Sequence, residues 1–215
     1  MKKNARLETK DRNFFALITE ATFTNPFLDE RDEILIQILP GITKDIKNRV
    51  IELTTIAPYL NERIDRLERK GYSRIQHFKG KDRQLLKNAF LLQVYLSFTG
   101  NLKELIQTQL KLGETPADVP FVEQVITQLK SRGLSDQESL HYLAIFYQLR
   151  RAFYFIDLAL VGDSPSMQKL RLALWNNVFT SDARTYDRLL WNRMEDFSTI
   201  LLIIGARITG KDVIP

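Results

Sequence analysis

The chain has 215 residues, of which 44% are hydrophobic and 27% charged, and this is enough apolar material for one large or two small domains. Its lack of cysteine excludes disulfides, thiolate catalysis and cysteine-ligated zinc, and fits a cytoplasmic protein. No apolar run reaches the roughly 18 residues of a membrane span, and no apolar stretch follows the basic start, as a signal peptide requires.

Helical spacing of apolar residues dominates the first third of the chain. A first stripe at residues 14–21 ends at Asn25-Pro26, and a second at residues 34–39 ends at Pro40-Gly41. A longer amphipathic stretch covers residues 43–70, where Pro58 predicts a break and Gly71 a stop. These segments predict three helical regions separated by short turns.

The same spacing continues to residue 160. Apolar helices are predicted over residues 85–96, 102–110 and 121–129, with Thr99-Gly100, Gly113 and Gly133 as stops and residues 114–120 as a linker. Ser135 and Glu138 form a capping box that opens a long helix to about residue 160. This helix is apolar over much of its circumference, which favours a central position. The predicted fold is an all-α bundle of about seven to nine helices.

Positive charge is concentrated in one stretch of the chain. Residues 62–87 contain nine Lys/Arg and four Asp/Glu, and nine minus four equals the net charge of +5 of the whole chain. Such a patch is typical of a surface that binds nucleic acid or an acidic partner, or of a solvated helix end and loop. The basic residues are Arg63, Arg66, Arg69, Lys70, Arg74, Lys79, Lys81, Arg83 and Lys87.

The C-terminal segment departs from the helical pattern. Ser164 and Pro165 are suited to the N-cap and first position of a further helix. Residues 197–204 then form a short apolar run rich in β-branched residues, which is typical of a buried strand. We therefore expect either a short C-terminal strand or a disordered tail.

A phosphate-loop pattern, Gly-x-x-x-x-Gly-Lys, follows that predicted strand at residues 205–211. In such loops the backbone N–H groups face the phosphates and the lysine contacts the β- and γ-phosphates. Asp212 stands where the general pattern has Ser or Thr, and an incidental Gly-Lys turn is the alternative interpretation. The nucleotide-binding candidates are Gly205, Thr209, Gly210, Lys211 and Asp212.

Two segments together resemble the sigma-54-dependent transcription activators, whose central domain is an AAA+ ATPase. Residues 162–168, Gly-Asp-Ser-Pro-Ser-Met-Gln, resemble the start of that domain, and residues 205–212 resemble its phosphate loop, which has Glu at the position of Asp212. The intervening residues 174–180 and 186–188 resemble a branch of the family with an extended segment before the loop. Ala206 and Ile208 depart from the family pattern, which has Glu and Gly there.

The resemblance implies two domains: a helical regulatory or sensory domain at residues 1–160 and the start of an ATPase domain at residues 161–215. It implies a parent that uses ATP and Mg²⁺ to remodel sigma-54 RNA polymerase at promoter DNA. Walker B, sensor, sigma-contact and helix-turn-helix motifs do not follow within the sequence, so we expect a truncated chain without enzymatic activity, catalytic residues or a cofactor of its own. The signal sensed by the helical domain is not identified by any motif.

Other constellations predict little chemistry. His141 lies one helical turn after Glu138, which suits a metal ligand pair or, more simply, a helix surface. Arg150-Arg151 interrupts an aromatic helix and either points inward to bind an acidic effector or faces solvent. We predict no metal site and no membrane contact, and homo-oligomerisation through the aromatic helix is left open. The alternative function is a stand-alone helical interaction protein that uses the basic stretch.

Overall fold

The computed structural model describes residues 5–39, 53–162 and 164–179, and these residues form eight α-helices and no strand. This confirms the predicted all-α bundle of seven to nine helices; the predicted strand and phosphate loop lie outside the described residues. Two short 3₁₀ helices, Leu53–Ile56 and Ile75–His77, precede α3 and α4. The helices are α1 Thr9–Phe23, α2 Asp29–Ile38, α3 Ala57–Arg69, α4 Gly80–Ser97, α5 Thr99–Leu112, α6 Val122–Ser131, α7 Asp136–Ala159 and α8 Pro165–Phe179.

Local sequence explains most helix ends. Pro58 lies in the first turn of α3, where its missing N–H is not needed, so the predicted break is a helix start. Gly71, with φ +83°, follows the last residues of α3 in the left-handed conformation that glycine tolerates best. The capping box at the start of α7 is confirmed, because Ser135 Oγ accepts from the N–H of Glu138 while the Glu138 carboxylate accepts from the N–H of Ser135.

The central helix is α4 rather than α7. Ten of the 18 residues of α4 are buried, and α4 packs against α1, α3, α5 and α6. The apolar circumference of α7 serves a different purpose, since α7 contacts α5, α6 and α8 while most of its residues stay partly exposed. The expectation that α7 occupies the centre of the bundle was therefore wrong.

The buried apolar residues fall into two clusters. The larger one is built on α1 to α6 and reaches α7 at Phe146. The smaller one joins the C-terminal half of α7 to α8 and consists of Ala152, Ile156, Leu160, Trp175, Val178 and Phe179. We call it the α7–α8 cluster.

The N-terminal segment crosses the start of α4. Ala5 forms an isolated parallel bridge with Phe78, and its N–H donates to the carbonyl of His77 at 3.0 Å. Two residues further, the N–H of Leu7 donates to the buried carboxylate of Asp82 at 3.0 Å. These contacts fix the loop between α3 and α4 against the bundle. Among the described helices, none has the length and apolar character to cross a membrane.

Candidate functional site

The predicted basic stretch does not form one uniform surface. Four of its nine cations form ion pairs with acids of the bundle: Arg63–Asp11 at 2.8 Å, Arg66–Glu62 at 2.9 Å, Lys70–Glu8 at 2.7 Å and Lys87–Glu138 at 3.1 Å. A fifth, Arg69, donates from Nε to the carbonyl of Asp65 at 3.4 Å. Much of the charge that the sequence places in this stretch is therefore balanced by neighbouring acids.

Arg63 has a structural role in the contact between α3 and α1. Its guanidinium pairs with Asp11, whose side chain is only 3% exposed, and lies 4.1 Å from the centre of the Phe14 ring. Arg66 also lies within 3.8 Å of the same carboxylate. Because removal of Arg63 would take away the closest cation from a buried carboxylate, Arg63 belongs to the packing of the bundle.

The other four cations are close together in sequence and lie in one region. Arg74, Lys79, Lys81 and Arg83 are exposed and form no ion pair with any residue that the structure describes. They flank the 3₁₀ helix Ile75–His77 and the first turn of α4. The one acid among them, Asp82, is engaged by Arg12. Residues 74–83 thus carry the uncompensated part of the predicted patch.

This region is held in place by buried and hydrogen-bonded neighbours. The N–H of Ile75 donates to the carbonyl of Arg132 at 3.0 Å, which joins the 3₁₀ helix to the end of α6. Phe78 is 1% exposed and packs edge-on against Tyr72 at a ring distance of 5.5 Å. The basic side chains therefore extend from a backbone that is anchored on both sides.

A polar cleft of about 610 Å³ opens between this 3₁₀ helix, the first two turns of α4 and the α6–α7 connection. We call it the α4 cleft. Two of the nine predicted basic residues, Arg83 and Lys87, line it, one turn apart on α4. The polar lining residues are Gln76, Arg83, Gln84, Lys87, Ser135 and Glu138.

The charges in the α4 cleft do not cancel. Burial acts to lower the pKa of Lys87, but Tyr142 and Glu138 outweigh it, so the pKa lies above its ordinary value. The N–H of Ser135, and then Lys87, hold the pKa of Glu138 below its usual range. Lys87 and Glu138 are thus both charged and neutralise each other, which leaves the Arg83 guanidinium as the net positive group of the lining.

The phosphate-loop candidates, Gly205, Thr209, Gly210, Lys211 and Asp212, lie outside the described residues. No nucleotide geometry therefore enters the site. Only the start of the segment that resembles an ATPase domain is described: Ser164 caps α8, since its Oγ accepts from the N–H of Met167 at 3.3 Å.

Metal chemistry finds no support in the described part of the chain, where no group of three or more His, Cys, Asp or Glu comes together. His77 Nδ1 accepts from the N–H of Arg74 at 3.3 Å, and the His141 ring packs edge-on against Tyr142 at 5.3 Å. Glu138, the predicted partner of His141, is used instead by the helix cap and by Lys87.

The predicted alternatives for Arg150-Arg151 are resolved in part. Arg150 lies beside the phenol of Tyr95 on α4, so it faces the bundle. Burial raises the pKa of Tyr95, while the guanidinium groups of Arg150 and Arg31 act against that rise. Arg31 itself is only 5% exposed and was not singled out in the sequence, because an arginine in the first turn of a helix gives no pattern that predicts burial.

Sequence reasoning missed the cleft because its walls come from distant segments. Gln76 Nε2 donates to the carbonyl of Gly133 at 2.5 Å, across 57 residues of chain. The one available signal was the concentration of Lys and Arg around residues 74–87.

No protein-family model, curated protein or solved structure matches this chain. Its function is therefore inferred from its own residues and their geometry.

Proposed function

We propose that this chain is the N-terminal regulatory region of a sigma-54-dependent transcription regulator. The support from sequence is the resemblance of residues 162–168 and 205–212 to the start and the phosphate loop of the family's ATPase domain. In this proposal the helical bundle is not catalytic. ATP and Mg²⁺ are handled by an ATPase domain of the parent that begins near residue 161, and sigma-54 RNA polymerase and promoter DNA are the parent's partners.

The observation that carries the proposal is the docking of α8 on the bundle. This helix begins the segment that resembles the ATPase domain, and it buries Trp175, Val178 and Phe179 against the C-terminal half of α7. A helix that belongs to the predicted ATPase domain and packs on the predicted regulatory domain is suited to transmit a change in the bundle to the ATPase.

A second contact ties α8 to the connection between α1 and α2. The buried side-chain amide of Asn25 donates to the carbonyl of Leu172 at 3.2 Å and to Asn176 Oδ1 at 2.9 Å. Phe27 follows, with its ring 6.1 Å from that of Trp175 and stacked on Phe153 at 5.6 Å. The position of α8 therefore depends on two separate parts of the bundle.

The first test is the gene sequence downstream of the codon for Pro215. The proposal expects a continuing reading frame that encodes Walker B, a sigma-contact loop and a helix-turn-helix. A stop codon at that point contradicts it and favours a stand-alone product.

The second test measures ATP hydrolysis and transcription by the complete gene product with sigma-54 RNA polymerase. Removal of residues 1–160 should change both rates, and Asn25→Ala should shift them in the same direction by loosening α8. Asn13→Ala, an exposed asparagine on α1, is the matched control and should leave both unchanged. Rates that are the same with and without the bundle contradict a regulatory role.

The second candidate function is a stand-alone interaction protein, favoured by the four uncompensated cations of residues 74–83. It predicts salt-sensitive binding of duplex DNA, with a log–log slope that falls by about one for each phosphate contact removed. Lys79→Gln with Lys81→Gln should weaken binding, whereas Lys103→Gln with Lys111→Gln makes the same charge change on α5. Equal loss from both pairs indicates attraction by net charge alone.

A further inference from the structure

The α4 cleft has the lining of a binding site for a small anion. It is roomy, at about 610 Å³, and lies within the range of volumes in which proteins bind small ligands. Its charged lining groups are two cations and one carboxylate, Arg83, Lys87 and Glu138, for a net charge of +1. A further three cations, Arg74, Lys79 and Lys81, are near neighbours in sequence of lining residues.

The carboxylate in the lining does not oppose an anion. Glu138 Oε1 accepts from Lys87 at 3.1 Å, and Oε2 accepts from the N–H and the Oγ of Ser135 at 3.0 Å each. Both oxygens are therefore directed at donors of the protein, and the charge is balanced locally. Arg83 has no such partner among the described residues, so its fork of N–H donors is available to a ligand.

Neutral donors add to the two cations. Gln76 Nε2 donates to the carbonyl of Gly133 and Gln84 Nε2 donates to Asn88 Oδ1. Each amide nitrogen carries two N–H bonds and uses one of them in these contacts. No acceptor for the second N–H of either residue occurs among the residues that the structure describes, so both are available to a ligand oxygen.

We propose that the α4 cleft binds a phosphate group of a small molecule, held by Arg83 with Lys87 beside it. Side chains four residues apart on a helix have Cβ atoms about 5–6 Å apart, so Arg83 and Lys87 flank one ligand position. A tetrahedral phosphate offers oxygens in several directions and can contact both cations, whereas a planar carboxylate is matched by the arginine fork alone. Binding does not depend on the proposed function.

The experiment titrates the full chain with inorganic phosphate and with glucose 6-phosphate, by calorimetry and by thermal shift at constant ionic strength. Both probes should bind and raise the melting temperature, and glucose should do neither. Arg83→Gln, which keeps a polar side chain of similar reach, should weaken binding at least about tenfold, as expected for loss of a charged hydrogen bond. Lys103→Gln on α5 is the matched control and should bind as the unchanged chain does.

Four outcomes overturn the proposal. The first three are no binding of either phosphate probe, equal affinity in Arg83→Gln and Lys103→Gln, and acetate binding as tightly as phosphate. Binding of duplex DNA that phosphate does not displace assigns the cations to nucleic acid instead and also overturns it. Because all these measurements use binding to the chain itself, they are separate from the transcription test of the proposed function.

Discussion

At the scale of single residues, Asp82 shows how one side chain joins distant segments. Its carboxylate accepts from the N–H of Leu7 at 3.0 Å and from two nitrogens of Arg12 at 2.8 and 3.0 Å. The hydrogen bonds from Arg12, above all, hold the pKa of Asp82 below its ordinary value. The acid therefore stays charged in the folded chain and fixes the N-terminal segment on α4. Its negative charge is balanced by Arg12.

We expect Asp82→Asn to lower the free energy of unfolding by about 1–3 kcal/mol at neutral pH. The lower end is favoured because Arg12 is 38% exposed and water screens the pair. Folding lowers this pKa, so the contribution is complete above the unfolded-state value of about 3.9 and is lost as pH falls through the folded-state value. Urea unfolding of both chains at neutral pH and at about pH 3 measures the change.

The control for this comparison is Asp118→Asn, since Asp118 is exposed and lies in the loop after α5. It should change the stability by less than about 0.5 kcal/mol. A difference between Asp82→Asn and the unchanged chain that is as large at acid pH as at neutral pH would show that charge plays no part in the contact.

At the scale of helices and turns, the sequence predicted which helices exist and where they end better than it predicted how they pack. Apolar spacing with Pro58, Gly71 and Ser135 located the ends of α3 and the start of α7, because these signals act within a few residues. Thr99-Gly100 was predicted to end a helix, yet α5 begins at Thr99 directly after a single non-helical residue, Phe98. The Phe98 ring stacks on Phe121 at 5.9 Å, a tertiary contact that no local pattern indicates.

The connection between α6 and α7 provides a prediction at this scale. Gly133 has φ +97°, and a Cβ built there would lie 2.0 Å from Gln76 Oε1. Gly133→Ala should destabilise the chain by about 1–2 kcal/mol, because the backbone is in the left-handed region and the amide of Gln76 must move. Denaturant midpoints of Gly133→Ala, Gln76→Ala and the double variant separate backbone strain from the clash with Gln76. In the double variant, only the stability lost to the clash should be recovered.

Gly100 is the natural control, since it lies in α5 with no atom within 4 Å of its built Cβ. Gly100→Ala should stabilise the chain by about 0.5–1 kcal/mol through helix propensity. If Gly133→Ala were equally stabilising, the backbone strain assigned to this turn would be absent. Because Gln76 lines the α4 cleft, Gly133→Ala should also weaken phosphate binding there.

At the scale of the whole molecule, the limit of sequence reasoning is the distribution of charge and burial between distant segments. The sequence alone shows where the nine basic residues lie along the chain, but their division into paired and uncompensated cations depends on partners such as Glu8 and Asp11, more than 50 residues away. Likewise, the apolar stripe of α7 did not predict that α4 is central, because a helix shared by three neighbours has the same composition as one at the centre of a core.

The two apolar clusters predict that unfolding of the main core affects α8, whereas unfolding of α8 does not affect the main core. The main cluster draws on α1 to α7, whereas the α7–α8 cluster has six buried residues and depends on α7, whose helix continues from the main core. Loss of packing in the main core should therefore release α8, while loss of packing in the α7–α8 cluster should leave α1 to α6 folded. Hydrogen exchange resolves such partial opening helix by helix.

Ile64→Ala and Phe179→Ala test this asymmetry, since both side chains are 0% exposed. Each change should cost about 2–5 kcal/mol locally, from lost apolar contact and the cavity left behind. Ile64→Ala should lower exchange protection in every helix that unfolds globally, including α8. Phe179→Ala should lower protection in α8 and the end of α7 only, and Leu170→Ala, at a site 42% exposed, should change little. If Phe179→Ala lowered exchange protection in α4 as much as in α8, the two clusters would form one cooperative unit. The docking of α8 could then not act as a separate regulatory contact.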